Sequence, residues 1–293
     1  MRSFLSPREL ARTIGASESS LKRWADEGRL EVGRTAGGHR RIALREALRF
    51  IRQSHLPIVD PQALGVADAA HMRSAGAQDA DATLVQALLG GNVEETRGSV
   101  MGMYLMGREV AEICDGPLAQ AMHEVGALWK HGPEGIHAEH RTTDLCAQTL
   151  QYLRALLPAP GPKAPLALGG ALESDPYMLP SLMVAATLAS RGWREINFGP
   201  NLPFDALRAA VDAHCPRLVW LSCSIPGLAD QRGRELRETA RLLREGGIQL
   251  IVGGRGWSTA LLADSSIESV HQARTLGELA AFAEGLRHTR HRL

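Results

Sequence analysis

The sequence predicts a multidomain protein, α-helical in its middle and α/β in its last part. Three observations predict it. The opening segment carries two short helical patterns joined by a tight turn and followed by a glycine-tipped hairpin. A middle block has apolar residues at helical spacing and no strand-like alternation. A final block alternates short apolar runs with amphipathic helical patterns. A length of 293 residues suffices for two or three domains with cores of their own.

The boundaries follow from composition. Residues 1–53 form the head, and residues 54–78, with Pro57, Pro61, Gly65 and Gly76, read as a linker. Residues 79–157 read as a bundle of about four helices, punctuated at Gly90-Gly91-Asn92, Asp115-Gly116-Pro117 and His131-Gly132-Pro133-Glu134-Gly135. A proline-rich, semi-rigid stretch from Pro158 to Pro165 leads into a domain spanning 166–293. Its expected strands are Leu166–Ala171, Glu195–Phe198, Leu218–Ser222, Gln249–Val252 and Glu268–His271. Helical patterns fall between them at Met178–Arg191, Phe204–His214, Leu228–Glu245, Thr259–Asp264 and Leu276–His288. Such alternation requires right-handed crossovers and gives a parallel, doubly wound sheet. Ligands of these sheets sit beyond the carboxyl ends of the strands, here at 173–180, 199–203, 222–226 and 253–257.

In the head, Pro7–Ile14 is a short amphipathic helix and Gly15-Ala16-Ser17 a turn. A second helix begins at Ser17 or Glu18, turns Leu21 and Trp24 inward, and ends at Gly28. This is helix-turn-helix spacing. The stretch Arg29–Ile42 then makes a two-stranded wing with Gly37-Gly38 at its tip. Net charge over the chain is only +1, but basic residues outnumber acidic ones twelve to six from Met1 to Gln53, so the remainder is net acidic. A basic head on an acidic body points to double-stranded DNA as partner. Ser19, Ser20, Lys22 and Arg23 on the second helix are placed to read bases, and Arg34, Thr35, Gly38, His39, Arg40 and Arg41 on the wing to hold phosphate or enter a minor groove.

Other classes are disfavoured. No apolar run has the ~18 residues of a membrane span, and no signal peptide follows Arg2, so a cytoplasmic protein without membrane contact is expected. Cys114, Cys146, Cys215 and Cys223 form no C-x-x-C pair and read as small buried hydrophobes. There is no phosphate loop, nucleophile elbow or H-E-x-x-H helix, and no room for a large substrate barrel, so an enzyme is not expected.

The motifs Arg8-Glu9-Leu10-Ala11, Leu21-Lys22-Arg23-Trp24, Glu27-Gly28 and Arg34-Thr35-Ala36-Gly37-Gly38-His39-Arg40-Arg41 make Leu5–Phe50 resemble the winged-helix domain of MerR-type transcriptional regulators. The later blocks resemble a cobalamin-binding module, a helical bundle followed by a flavodoxin-like domain. The whole chain is thus similar to the CarH/LitR light-sensing repressors. That resemblance implies a palindromic operator, a homo-oligomer (dimer or tetramer) and adenosylcobalamin as cofactor. Trp129, followed after nine residues by Glu139-His140, matches the family's Trp, Glu and His over the upper cofactor face, with His131 close to Trp129. Taken alone, Trp129 is also core packing, and His131, His137 and His140 also suggest a metal site. Ser222-Cys223-Ser224 and Gly253-Gly254 stand where the family admits a nucleotide tail, although glycine there also serves close approach of backbones.

One departure stands out. The family's lower-face motif is Asp-x-His-x-x-Gly. Here Asp175 is kept, but Tyr177 replaces the histidine and Pro180 the glycine. A phenol, with a pKa near ~10, is a poor ligand until ionised. Three outcomes stay open: adenosylcobalamin without a protein ligand below cobalt, haem or a bilin in its place, or a regulator that has lost its cofactor and works without one or binds a protein partner. Tyr177 or His131 would be the axial ligand of a tetrapyrrole metal if either served as one.

Overall fold

A computed structural model describes residues 3–65, 77–127, 132–264, 267 and 269–288. The chain divides into two compact units, Met1–Ala159 and Pro160–Leu293.

The first unit opens with strand β1 (Phe4–Leu5) and helix α1 (Pro7–Ile14). Ser6 starts α1 by a reciprocal cap: its hydroxyl accepts the Glu9 N–H at 3.3 Å, and the Glu9 carboxylate accepts the Ser6 N–H at 2.7 Å. Gly15, at φ 66°, ends it in the left-handed conformation that glycine adopts without strain. Helix α2 (Glu18–Asp26) is capped by Ser17, whose hydroxyl accepts the Ser20 N–H at 3.1 Å. Strands β2 (Gly33–Arg34) and β3 (Arg40–Ala43) form the hairpin, and β1 joins β3 to give an antiparallel sheet in the order β1-β3-β2. Helix α3 (Leu44–Gln53) follows directly. Leu5, Leu10, Leu21, Leu30, Ile42 and Ile51 close the core beneath these elements, with Trp24 tilted against Phe50 at 5.2 Å.

Part of the segment read as a linker is folded. Val59 and Asp60 donate their N–H groups to the Thr13 carbonyl at 2.7 and 3.1 Å, and a 3₁₀ turn at Pro61–Leu64 buries Ala63 and Leu64. The prolines that suggested a spacer instead set up a turn that packs on α1.

The helical block comprises α4 (Ala77–Gly90), α5 (Val93–Leu105), α6 (Val110–Ile113), α7 (Ala119–Ala127) and α8 (Pro133–Leu156). A wide turn at Cys114–Leu118, where Gly116 leaves helical geometry and Pro117 cannot donate, joins α6 to α7. Asn92 caps α5 through the Glu95 N–H. Helix α3 of the head is tied to this block within the same unit. The Arg52 guanidinium donates to the carbonyls of Tyr104 and Arg108 and to Glu109, and lies 4.3 Å from the centre of the Tyr104 ring. Arg45 donates to the Ala155 carbonyl at the end of α8 at 2.7 Å.

In the second unit, the described residues carry a five-stranded parallel sheet. Its strands are β4 (Leu166–Ala171), β5 (Arg194–Asn197), β6 (Leu218–Ser222), β7 (Gln249–Gly253) and β8 (Val270–Ala273), in the order β5-β4-β6-β7-β8. Helices α9 (Leu179–Ser190), α10 (Phe204–His214), α11 (Leu228–Gln231), α12 (Gly233–Glu245), α13 (Thr259–Leu262) and α14 (Leu276–His288) connect and cover it. This is the doubly wound order of flavodoxin-like sheets, as expected. One apolar layer centres on Leu207, Val219, Leu236 and Leu250, another on Ala185, Trp193, Trp220 and Leu279. Gly169 is required here: a side chain there would run into the Trp220 carbonyl and ring.

Several boundaries differ from the sequence reading, β5 at Arg194–Asn197 rather than Glu195–Phe198 and α13 ending at Leu262 rather than Asp264 among them. Strand β8 is Val270–Ala273 where Glu268–His271 was expected; its register pairs Val270 with Leu250, and residue 268 lies outside the described residues. The helix expected over 228–245 is broken at Arg232, whose side chain turns toward Glu173 (3.7 Å) and donates to the Ser174 hydroxyl at 3.3 Å.

Candidate functional site

The first candidate surface is on the head. Ser19, Lys22 and Arg23 are exposed on α2, and Ser20 is half-buried. The Ser17 hydroxyl lies 2.8 Å from that of Ser19 and 3.0 Å from that of Ser20, so the start of α2 is ordered before any partner arrives. The wing tip is fixed from within: the Thr35 and Gly38 N–H groups donate to the carbonyls of His39 and Thr35, and the His39 N–H donates to the Thr35 hydroxyl at 3.2 Å. Thr35, Gly38 and His39 therefore shape the tip.

Electrostatics divide the arginines into two groups. Arg12 pairs with Asp60 at 2.7 Å, Arg49 with Glu46 at 2.5 Å and Arg52 with Glu109 at 2.9 Å. Arg34, Arg40 and Arg41 have no acidic partner among the described residues, and Arg34 and Arg41 are exposed. Sequence reasoning counted all these charges alike. Only the fold separates those holding the protein together from those open to an anion.

The second candidate surface is the carboxyl edge of the parallel sheet. Asp175 is fully buried after β4 and uses both carboxylate oxygens: one accepts the Tyr177 N–H at 3.0 Å, the other the Ser224 N–H at 2.6 Å. Its backbone carbonyl accepts the Asn201 N–H at 2.9 Å, and the Asn201 side chain accepts the Ser174 N–H at 2.7 Å. The turn after β4 is thereby latched to the turns after β5 and β6. It holds Ser174 at φ 73°, a conformation unusual for a residue with a side chain. Tyr177, Met178 and Phe198 stand exposed on this edge at 47%, 38% and 39%.

Ser222 is 4% exposed, and its hydroxyl has no hydrogen-bond partner among the described residues. Gly253 and Gly254 lead into a turn packed against Cys223. The Cys223 N–H donates to the Gly253 carbonyl at 2.9 Å, the Gly256 N–H donates to the Cys223 carbonyl at 2.8 Å, and the Trp257 indole N–H reaches the Gly253 carbonyl at 2.8 Å. A side chain at Gly254 would strike the Cys223 carbonyl, and one at Gly256 the Cys223 Sγ. Burial pushes the Cys223 thiol up to about 11. Sequence reasoning missed Asn201 and Trp257, since a lone Asn or Trp in a loop gives no periodic signal.

Of the residues expected from the resemblance to face a cofactor, Glu139 and His140 sit on α8. Glu139 accepts the Thr143 hydroxyl at 3.0 Å, and its carboxylate lies 3.7 Å from the exposed His140 ring. Trp129 and His131 lie outside the described residues. Among the described residues, no helix is long and apolar enough to cross a membrane.

Residues 81–154, the helical block, match the family described as "B12 binding domain". The chain is similar to the HTH-type transcriptional repressor CarA of Myxococcus xanthus, with 26% identity over 97% of this chain and 98% of that protein. These two matches bear out the resemblance read from the sequence. Among solved structures, the monomethylamine corrinoid protein of Methanosarcina barkeri aligns at a TM-score of 0.51 and 16% identity, over 71% of this chain and 99% of that one. It shares the combination of helical bundle and parallel α/β sheet.

Proposed function

We propose that this protein is a transcriptional repressor that binds operator DNA through a winged helix-turn-helix head and is controlled by a cobalamin held on its body. The observation that carries the reading is the wing. Arg34, Arg40 and Arg41 have no acidic partner among the described residues and stand on a hairpin whose tip is braced by its own hydrogen bonds, beside a helix that presents Ser19, Lys22 and Arg23. Such a hairpin gains little for the fold from its charges and suits phosphate contact. Similarity to a repressor along nearly the whole chain supports the same reading.

Control falls to the body, where the residues proposed to serve the cofactor are Trp129, His131, Glu139 and His140 of the middle block and Asp175, Tyr177, Ser222, Ser224, Gly253 and Gly254 of the sheet edge. Adenosylcobalamin is the form proposed, with light as the releasing signal. A change of oligomeric state, between dimer or tetramer and smaller species, links the body to the number of wings on DNA. The protein acts in this reading by binding, and it turns over no substrate.

The test is a mobility-shift titration of the full chain on its own promoter DNA at rising salt, with and without adenosylcobalamin, in the dark and after illumination. Affinity that falls steeply with salt and changes with cofactor and light is the expected result. Binding indifferent to salt overturns the DNA-contact reading, and binding indifferent to cobalamin overturns the control reading. Methyl transfer from a corrinoid donor by the purified protein would overturn the assignment as a regulator.

A further inference from the structure

We infer that the sheet edge receives cobalamin with its own benzimidazole still on cobalt, so that the protein supplies no ligand below the metal. This rests on the cobalamin reading above and adds how the ligand is held. Three observations carry it.

The first is the donor set. The segments at the carboxyl ends of the strands, 173–178, 198–203, 222–227 and 253–258, contain no histidine. His214 ends α10 before β6 begins, and His271 lies in mid-strand of β8 and reaches Gln249 at the amino end of β7, so neither faces this edge. Tyr177, at the position of the family's histidine, offers a phenol oxygen and no imidazole nitrogen.

The second is Asp175. Here both oxygens accept backbone N–H groups, from Tyr177 and Ser224, and the carboxylate is fully buried. Its work in this structure is to latch the β4 and β6 turns.

The third is the space beside the sheet. A benzimidazole displaced from cobalt must be lodged elsewhere, and the family's tail route runs past the positions of Ser222 and Gly254. In this chain the turn after β7 is closed onto Cys223 by hydrogen bonds from the Cys223 and Gly256 N–H groups, with the Trp257 indole N–H bracing the Gly253 carbonyl, and Gly254 and Gly256 are taken up by that contact. The Ser222 hydroxyl, although unpartnered, is sealed from a ligand arriving at the rim, because the residue is 4% exposed. What the edge does present is apolar: Tyr177, Met178 and Phe198 on the adjacent ends of β4 and β5. That surface can stack against the face of an aromatic base. The residues therefore fit a corrinoid that brings its own lower ligand and do not fit one that needs an imidazole from the protein.

The experiment uses the full chain with hydroxocobalamin, and with cobinamide, which lacks the nucleotide. Absorption spectra of bound and free cobalamin are compared at neutral pH. The cobalt(II) form, prepared by chemical reduction, is then examined by electron paramagnetic resonance on unlabelled and ¹⁵N-labelled protein. The expected result is a bound spectrum like that of free cobalamin, with a nitrogen triplet unchanged by labelling the protein. Cobinamide should show no nitrogen splitting. A triplet that becomes a doublet on ¹⁵N-labelled protein identifies a protein nitrogen on cobalt and overturns the inference. So does a bound spectrum of the base-displaced form. Failure to bind either corrinoid overturns the cobalamin reading itself, and this inference with it.

Discussion

Replacing Arg52 by alanine should unfasten α3 from the helical block while leaving both folded. The side chain is only 16% exposed, and its guanidinium donates to the carbonyls of Tyr104 and Arg108 and to Glu109 while stacking on the Tyr104 ring. Charge-assisted bonds to two carbonyls contribute about 2 kcal/mol after their exchange with water is counted. The ring contact adds about 1 kcal/mol. Glu109 is 36% exposed, so the ion pair is screened and adds at most about 0.5 kcal/mol. The sum is about 3 kcal/mol, or roughly a hundredfold in a local opening equilibrium. A global unfolding midpoint is the wrong readout for a chain of two units. Amide hydrogen exchange on the full chain, read at α3 and at the turn joining α5 to α6, reports the local opening directly. Exchange there should quicken by roughly a hundredfold in Arg52→Ala and by less in Arg52→Lys, which keeps the charge and loses the planar fork. Rates within about twofold of the parent would refute the reasoning, since the contacts would then be worth less than about 0.5 kcal/mol.

Four further outcomes are expected. Asp175→Ala should cost about 3 kcal/mol locally, because two buried N–H groups lose their acceptor, and the Tyr177 and Ser224 amides should lose exchange protection together. Arg40→Ala and Arg41→Ala should each lower the slope of log affinity against log salt by about 1, while Ser19→Ala should change sequence preference at constant slope. Ser6→Ala should destabilise the head by about 1 kcal/mol and Ser6→Gly by only a few tenths, read as faster amide hydrogen exchange along α1. At neutral pH a thiol reagent should label Cys215 alone in the native protein and all four cysteines in denaturant. Burial raises the Cys146 and Cys223 thiols to about 12 and about 11, and Cys114 upward as well, so these three stay protonated while Cys215 is exposed. Labelling of a second native thiol would contradict that burial.

The sequence by itself determined the order of elements. Ser6-Pro7 and Gly15 bound α1 because caps act within a few residues, and the strand–helix alternation after Pro165 specified the parallel sheet because periodicity is local. It also placed Asp175 and Tyr177 at the carboxyl edge, since β4 and its turn are contiguous in the chain. Tertiary structure alone decided what those residues do. Whether an arginine on the head is spent on Asp60, Glu46 or Glu109, or stands open on the wing, depends on partners up to 57 residues away. In the same way, the oxygens of Asp175 are committed to an N–H group 49 residues distant as well as to a neighbour, and that commitment turns a motif residue into a latch. Hydrogen bonds and burial are properties of neighbours in space, and no pattern along the chain contains them.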